Sequence, residues 1–418
     1  MTDDESVCTV EVDAVVVGAG PAGCMLSHLL ARSGVETILL ERQSSLDREF
    51  HGYAFQPSAL RLFNDIDLVE DVLALNHAEI TQFGVDLYGH TRTLIDFTTL
   101  PAPHDFVLSI EQPPLLRLLV DATKRFETFE FRNAMPVQDL IVEDGTVVGV
   151  RATDREANKA VEVRAQVVVG ADGRFSTVRS VADIDPGLFE TDFQVVWLKV
   201  PSTVPHETQV RINEHGQVLY FGLGTDLQLG WLIPKGTYPA IREAGIESFR
   251  ERIAAVDPRL RDGLASVTSF NDCSLLNVAP GLSDGWVRDG LVLIGDAAHV
   301  ASPVAGQGNA LAIQDAAVLH SIVVRALDRT AGVLSAQDLR PYVQRRCPAV
   351  QRVVNAQLLG HRAISALVHH GNDVPDIMKR GILRTLLTLA GTDPIMSRTR
   401  RLIAFGPDSV RVETELFE

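Results

Sequence analysis

The chain has 418 residues, 46% hydrophobic and 22% charged, a balance that suits a soluble globular protein of two domains or more. Its formal charge of −16 disfavours DNA or RNA as the main partner. Four scattered cysteines (Cys8, Cys24, Cys273, Cys347) show no C-x-x-C spacing, which argues against a disulfide framework or a zinc site and for idle thiols in a reducing compartment.

The acidic start MTDDESVCTVEV lacks the basic region of a signal peptide, so a cytoplasmic location is expected. No uninterrupted apolar stretch approaches the ~18 residues that span a bilayer. Residues 12–17 read as a buried strand, 21–33 as a helix of small residues, and 36–40 as a second strand ending at Glu41-Arg42. This is a βαβ opening with parallel strands and a right-handed crossover. Its turn is Gly18-Ala19-Gly20-Pro21-Ala22-Gly23. Glycines there permit a tight turn, close approach of a pyrophosphate to the backbone, and close helix–strand packing. Glu41 stands where an acid at the end of the second strand binds ribose hydroxyls.

Residues 56–66 and 67–75 read as helices, 79–98 alternate like strands, and 112–124 form an amphipathic helix at the Pro113-Pro114 start signal. Strands flank Asp144-Gly145, a hairpin turn dipeptide. A further buried strand, 165–169, delivers Gly170-Ala171-Asp172-Gly173. From about 187 to 278 come short aromatic strands and one helix near 246–255, the pattern of an inserted antiparallel sheet.

Residues 291–294 form another apolar strand, running into Gly295-Asp296, a loop with Pro303, and Gly306-Gln307-Gly308 opening an alanine-rich helix. A carboxylate at a strand end accepts hydrogen bonds from a polyol, and a glycine-rich helix start offers N–H groups and a positive dipole end to an electron-rich ring. Beyond 305 the chain reads as almost wholly helical to near 402. Residues 340–401 carry eleven Lys/Arg against three acids. That basic stretch reads either as a helical tail docked on an acidic body or as a face apposed weakly to a membrane.

Together the three glycine-acid motifs resemble the fingerprints of the class A flavoprotein monooxygenases, the para-hydroxybenzoate hydroxylase-like and ubiquinone-biosynthesis hydroxylase-like group. The resemblance covers most of the chain and extends to GWLIPKG (230–236), YVQRR (342–346) and the Arg411-containing end. It implies an α/β (α+β overall) fold: a Rossmann-like FAD-binding domain from 1–75, 100–185 and 280–335, a substrate domain of antiparallel sheet from 76–99 and 186–279, and a helical C-terminal region, 336–418. It also implies that Gly18, Gly20, Pro21, Ala22 and Gly23 meet the FAD pyrophosphate, with Glu41 and Arg42 at the adenosine ribose. Gln112 would reach the ribityl–phosphate region and Val137 the adenine. Asp172, with Arg179 steadying its turn, would support the pyrophosphate, and Gly295-Asp296 the pyrophosphate or ribityl oxygens. Pro303, Gly306, Gln307, Gly308 and Asn309 would surround the flavin ring.

The implied activity is NAD(P)H-consuming hydroxylation or epoxidation of a small aromatic or quinone-like molecule by O2, through a flavin C4a-hydroperoxide, in a monomer or homodimer. The hydride donor, NADH or NADPH, would dock transiently, since Gly222-Leu223-Gly224 has no third glycine and no following helix. Candidate bases are His51, Tyr53 and Tyr220. Phe193, Trp197, Tyr220, Phe221 and Trp231 would suit an aromatic substrate, although core packing explains each as well. Asn309 departs from the family's Gly-Gln-Gly-x-Asn by one place, and at its own position it is expected to cap the helix. Two rivals stand: a reductase of prenyl or lipid-like substrates, and a non-enzymatic flavin-fold binding protein. A halogenase would want a second tryptophan where Leu229 stands in Leu229-Gly230-Trp231-Leu232-Ile233-Pro234.

Overall fold

The computed structural model describes residues 8–47, 53–101, 103, 105–201, 208–223, 226–303, 306–369, 400–406 and 408–418. Its larger sheet is built on strand Cys8–Val17, whose last four residues are all apolar and buried. Strands covered on both faces read as such continuous apolar runs and pair in parallel. Accordingly, Cys8–Val17 lies parallel to Thr37–Leu40 on one side and to Lys159–Gly170 on the other. Phe129–Arg132 and Leu291–Leu293 extend the sheet, also in parallel. Val137–Glu143 and Thr146–Asp154 form an antiparallel ribbon against Lys159–Gly170. They turn at Asp144 and Gly145, with φ of 49° and 84°, the left-handed pair a two-residue hairpin loop requires.

Helix Pro21–Arg32 starts where extended Gly20 meets Pro21, whose fixed φ suits a first helical turn. Every residue from Pro21 to Ala31 is buried, because the helix is packed against the sheet and against helices Gln112–Thr123 and Gly308–Leu327. By length and composition Gly308–Leu327 could cross a membrane, yet 83% of its apolar window is buried inside the protein. It is a core helix.

The second sheet has seven strands, in the order Cys273–Asn277, Phe193–Pro201, Asp226–Pro234, Gly216–Leu223, Thr208–Asn213, Gln82–Leu87 and His90–Asp96. The sequence suggested an antiparallel sheet, and one pair departs from it: Thr208–Asn213 runs parallel to Gln82–Leu87. The hairpin Gln82–Asp96 comes from far earlier in the chain, so no tight turn dictates its direction against the later strands. One face of this sheet is covered by helices Tyr238–Glu243, Ile246–Val256 and Arg261–Leu264, where the sequence suggested a single helix. Gly245, at φ 88°, and Pro258 divide the helical run. A small sheet of Ala54–Phe55, Val107–Ile110 and His77–Ile80 completes the strands.

Helix Ala336–His369 and a helical turn at 400–405 make up the described α-helices of the C-terminal region. Arg346 in the basic stretch is wholly buried in ion pairs rather than displayed on a face. Residues 370–399, which carry part of that charge, lie outside the described residues. The end of the chain holds no α-helix, only a 3-10 turn at Thr414–Leu416: Arg411 pairs with Asp65, and the Glu418 N–H donates to the Arg32 carbonyl at 3.0 Å.

Candidate functional site

A cavity of about 610 Å³ is walled by both large sheets. Gly18, Gly20, Pro21, Ala22, Glu41 and Arg42 line it from the first crossover, Asp172 and Arg174 from the end of Lys159–Gly170, and Asp296, Pro303, Gly306, Gly308 and Asn309 from the third motif. Trp197, Phe221, Gln228, Leu276 and Val278 face them from the second sheet. Three motifs far apart in sequence therefore meet at one space.

The glycine turn is built for close approach. Gly18 has φ of 106°, and a Cβ on it would stand 2.5 Å from the Ala171 carbonyl oxygen. One on Gly23 would stand 1.9 Å from the Gly18 oxygen, so Gly23 serves helix–strand contact and does not itself line the cavity. A Cβ on Gly20 would meet nothing within 4 Å. That open space, at the N-terminus of a buried twelve-residue helix with no side-chain cap, fits a pyrophosphate.

The acids fit a polyol. Glu41 is 2% exposed; its two oxygens accept from the Ala19 N–H at 3.0 Å and the Gln43 N–H at 2.9 Å. Glu41 lines the cavity, and a carboxylate is an acceptor suited to a ligand hydroxyl. Asp172 accepts from the Val178 N–H at 3.1 Å through Oδ2, while its buried Oδ1 has no partner among the described residues. Burial pushes the Asp172 carboxyl up, opposed by bonds from Ser176 and from backbone N–H groups. Burial likewise raises Asp296, against the pull of His299 and Arg174. The Asp172 Oδ1 lacks a donor of the kind a ligand hydroxyl would supply.

Helix Gly308–Leu327 begins at the cavity wall with Gln307 as its N-cap residue and no side-chain cap. The expectation that Asn309 caps the helix is corrected. Asn309 sits inside the first turn, where its Nδ2 donates to the Ala54 carbonyl at 3.3 Å and its Oδ1 accepts from Gln112 Nε2 at 3.0 Å. It ties three elements together at the cavity. The Gln307 side chain turns away, donating to the Leu402 carbonyl at 3.0 Å.

Two other residues of the sequence set act from behind the wall. Arg179 donates to the Ala297 carbonyl at 2.9 Å and the Arg174 carbonyl at 2.8 Å, clamping the second motif to the third. Gly295, at φ 58°, donates its N–H to Asp315 Oδ2 at 3.0 Å. Asp315 is the centre of a buried cluster that sequence reasoning missed. It pairs with His299 at 2.5 Å and with Arg346 Nε at 2.7 Å, and Arg346 reaches Asp408 at 3.1 Å. Burial alone would raise the Asp315 carboxyl, but His299 and Arg346 hold it below its ordinary value.

The residues proposed for a substrate divide by face. Trp197 and Phe221 line the cavity, with ring centroids 6.0 Å apart, and Phe193 packs behind them in the same apolar cluster. Tyr220 and Trp231 lie on the opposite face, which corrects their placement. Tyr220 is 1% exposed and donates to Asp257 at 2.9 Å, burial raising its phenol far above the ordinary value. Trp231 stacks edge-on against Phe249 of the covering helix, at 5.5 Å. Alternation along a strand enforces this split. Tyr53 and Val137 line the cavity, whereas His51 lies outside the described residues. Gln228, Leu276, Val278 and Arg174 were not anticipated. Gln228 was the most legible, standing two places before Gly230 on an alternating strand.

The chain matches the model of the FAD binding domain family over residues 11–357. It is 35% identical over 411 residues to 6-methylpretetramide 4-monooxygenase of Streptomyces rimosus, covering 97% of this chain and 95% of the relative. It is 29% identical to a probable NADH-specific resorcinol 4-hydroxylase of Rhodococcus jostii, over 73% of this chain and 57% of that one. The solved structure of p-nitrophenol 4-monooxygenase from Pseudomonas putida superposes with a TM-score of 0.78 at 18% identity, covering 96% of this chain and 100% of the other, a likeness of fold.

Proposed function

The chain belongs to the FAD binding domain family, and on that premise we propose that it is an FAD-dependent monooxygenase that hydroxylates or epoxidises a small aromatic or quinone-like molecule, with NADH or NADPH as electron source. The observation that carries this reading is the convergence of three separate cofactor motifs on one cavity whose facing wall is aromatic and apolar. The names of the relatives, monooxygenases of aromatic compounds, support it.

When bound, FAD supplies the acceptance of hydride and the activation of O2; the chain's residues bind, orient and shield. Gly18 and Gly20 would leave room for the pyrophosphate, and Glu41 would accept from the adenosine ribose. Met135 and Val137 would border the adenine, and Asp172 and Asp296 would take hydroxyl donors. The first N–H groups of helix Gly308–Leu327, at the cavity wall, would offer a positive dipole end to a bound flavin ring and favour negative charge on it. Trp197, Phe221, Leu276 and Val278 keep water from the reacting carbon. Of the three candidate bases, Tyr53 is the one at the cavity wall among the described residues, and it would hold a phenolic proton.

The test is a coupled assay on purified protein: flavin content by visible absorbance, then NAD(P)H oxidation, O2 uptake and hydroxylated product across a panel of phenols and quinones. Substrate-stimulated flavin reduction with O2 consumed in step with product is expected. A colourless protein that takes up no FAD overturns the cofactor reading. Product formed without O2 uptake replaces the monooxygenase with a reductase.

A further inference from the structure

The wall contributed by the second sheet is apolar apart from two polar groups. Trp197 is 4% exposed and Gln228 is 2% exposed, and both line the cavity. Trp197 Nε1 and Gln228 Oε1 have no hydrogen-bond partner among the described residues. A buried polar group left unmet is costly, so a pair of them on residues that line one space marks where a ligand completes the bonding.

Register fixes their relation. Trp197 stands opposite Gly230, and Gln228 stands opposite Lys199 on one neighbouring strand and Phe221 on the other. The two are diagonal neighbours on the same face, roughly 7–8 Å apart by sheet geometry. Gly230 makes this arrangement possible, since a Cβ there would stand 2.8 Å from the Trp197 ring.

The indole N–H only donates, so the ligand group it meets must be an acceptor. The carboxamide of Gln228 serves a hydroxyl as acceptor or as donor. The Lys and Arg residues that line the cavity are Arg42, Arg155 and Arg174, all on the cofactor side. Among the described residues the second sheet sends no cation into it. Lys199 is on the sheet but is held by Glu111 at 2.8 Å and Asp226 at 3.3 Å. A carboxylate ligand at this wall would bury an unpaired charge.

We propose that Trp197 and Gln228 form a polar subsite that selects a neutral aromatic ligand bearing a carbonyl and a neighbouring hydroxyl, a phenolic ketone or hydroxyquinone, over an aromatic acid. The carbonyl accepts from Trp197 Nε1, the hydroxyl pairs with Gln228, and Phe221, Leu276 and Val278 enclose the ring. This deepens the monooxygenase reading and rests on it.

The experiment titrates FAD-loaded protein with two probes, following perturbation of the flavin absorbance. One is a hydroxy-acetonaphthone with its hydroxyl beside the acetyl group; the other is the matching hydroxynaphthoate. The ketone should bind at least about tenfold more tightly, as one good hydrogen bond against one unpaired charge requires. Trp197→Phe and Gln228→Leu should each weaken ketone binding about five- to tenfold while the protein keeps its flavin. Trp231→Phe, the same type of change on the far face, should leave the preference intact. Equal or tighter binding of the naphthoate overturns the subsite, as does a preference unmoved in both cavity variants. If Trp197→Phe fails to fold, Gln228→Leu decides alone. Loss of flavin from the unaltered protein overturns the FAD reading, whereas retained flavin with no ketone preference overturns only the subsite.

Discussion

Asp315→Asn isolates what the buried cluster behind the third motif contributes. The native carboxylate accepts from the Gly295 N–H, His299 Nε2 and Arg346 Nε. Asn is nearly isosteric but neutral, and its amide nitrogen cannot accept. Arg346 is wholly buried and would be left with Asp408, which is 22% exposed, as its carboxylate partner among the described residues. Removing one member of a buried pair costs about 3–5 kcal/mol, because the remaining charge stays desolvated. The retained amide oxygen and Asp408 place this variant near the lower end, about 3 kcal/mol. That is a large share of the ~5–15 kcal/mol that holds a domain folded.

Urea unfolding followed by tryptophan fluorescence suits the measurement, since Trp286 stacks on His299 at 5.3 Å. The double variant Asp315→Asn/Arg346→Met removes the stranded cation, so its loss should fall short of the sum of the single variants by at least about 2 kcal/mol. A loss under about 1 kcal/mol in Asp315→Asn, or strict additivity in the double variant, would refute the reasoning.

Gly20→Ala and Gly23→Ala separate binding from folding. The Gly20 methyl enters open space at the proposed pyrophosphate cradle, so FAD affinity should fall by at least about tenfold with an unchanged melting temperature of the flavin-free protein. Gly23→Ala drives a methyl into the Gly18 carbonyl and should lower that melting temperature; the reverse pattern would sink the assignment. Acid should also destabilise the protein. His28 and His320 are fully buried and each is lowered by burial from 6.5 to about 4. Their folded-state pKa values lie below the unfolded one, so their stabilising contribution is complete above pH 6.5 and is lost as pH falls toward about 4. At about pH 5 each costs about 2 kcal/mol, and His320→Gln should flatten a stability–pH curve that the wild type shows falling. Finally, Gly230→Ala should push the Trp197 ring aside and weaken substrate-analogue binding while flavin content stays normal, checked by titration of the holoprotein.

How much of this was legible in the sequence depends on the range of the interaction. The glycine turn, Glu41 and the strand ends at Asp172 and Asp296 were readable because each is a local device: a φ value, a helix start, a strand terminus. Asp144-Gly145 was readable for the same reason. What failed was anything set by the partner across a gap. Tyr220 and Phe221 are adjacent, and alternation sends them to opposite faces, but the sequence does not say which face meets the cavity. That is decided by helix Ile246–Val256, whose Phe249 and Ile253 claim Tyr220, Trp231 and their neighbours for one apolar cluster. Once that face is covered, Trp197, Phe221 and Gln228 are left for the other. Asn309 failed similarly, since its bonds run to Gln112 and Ala54, at sequence separations of 197 and 255. Asp315 and Arg346 looked like ordinary helix residues, because their pairing exists only when two helices and the Gly295 turn meet. The cofactor end of the cavity is thus written in short motifs, and the substrate end in packing. A reader of sequence alone identifies the reagent this protein holds before learning what the reagent meets.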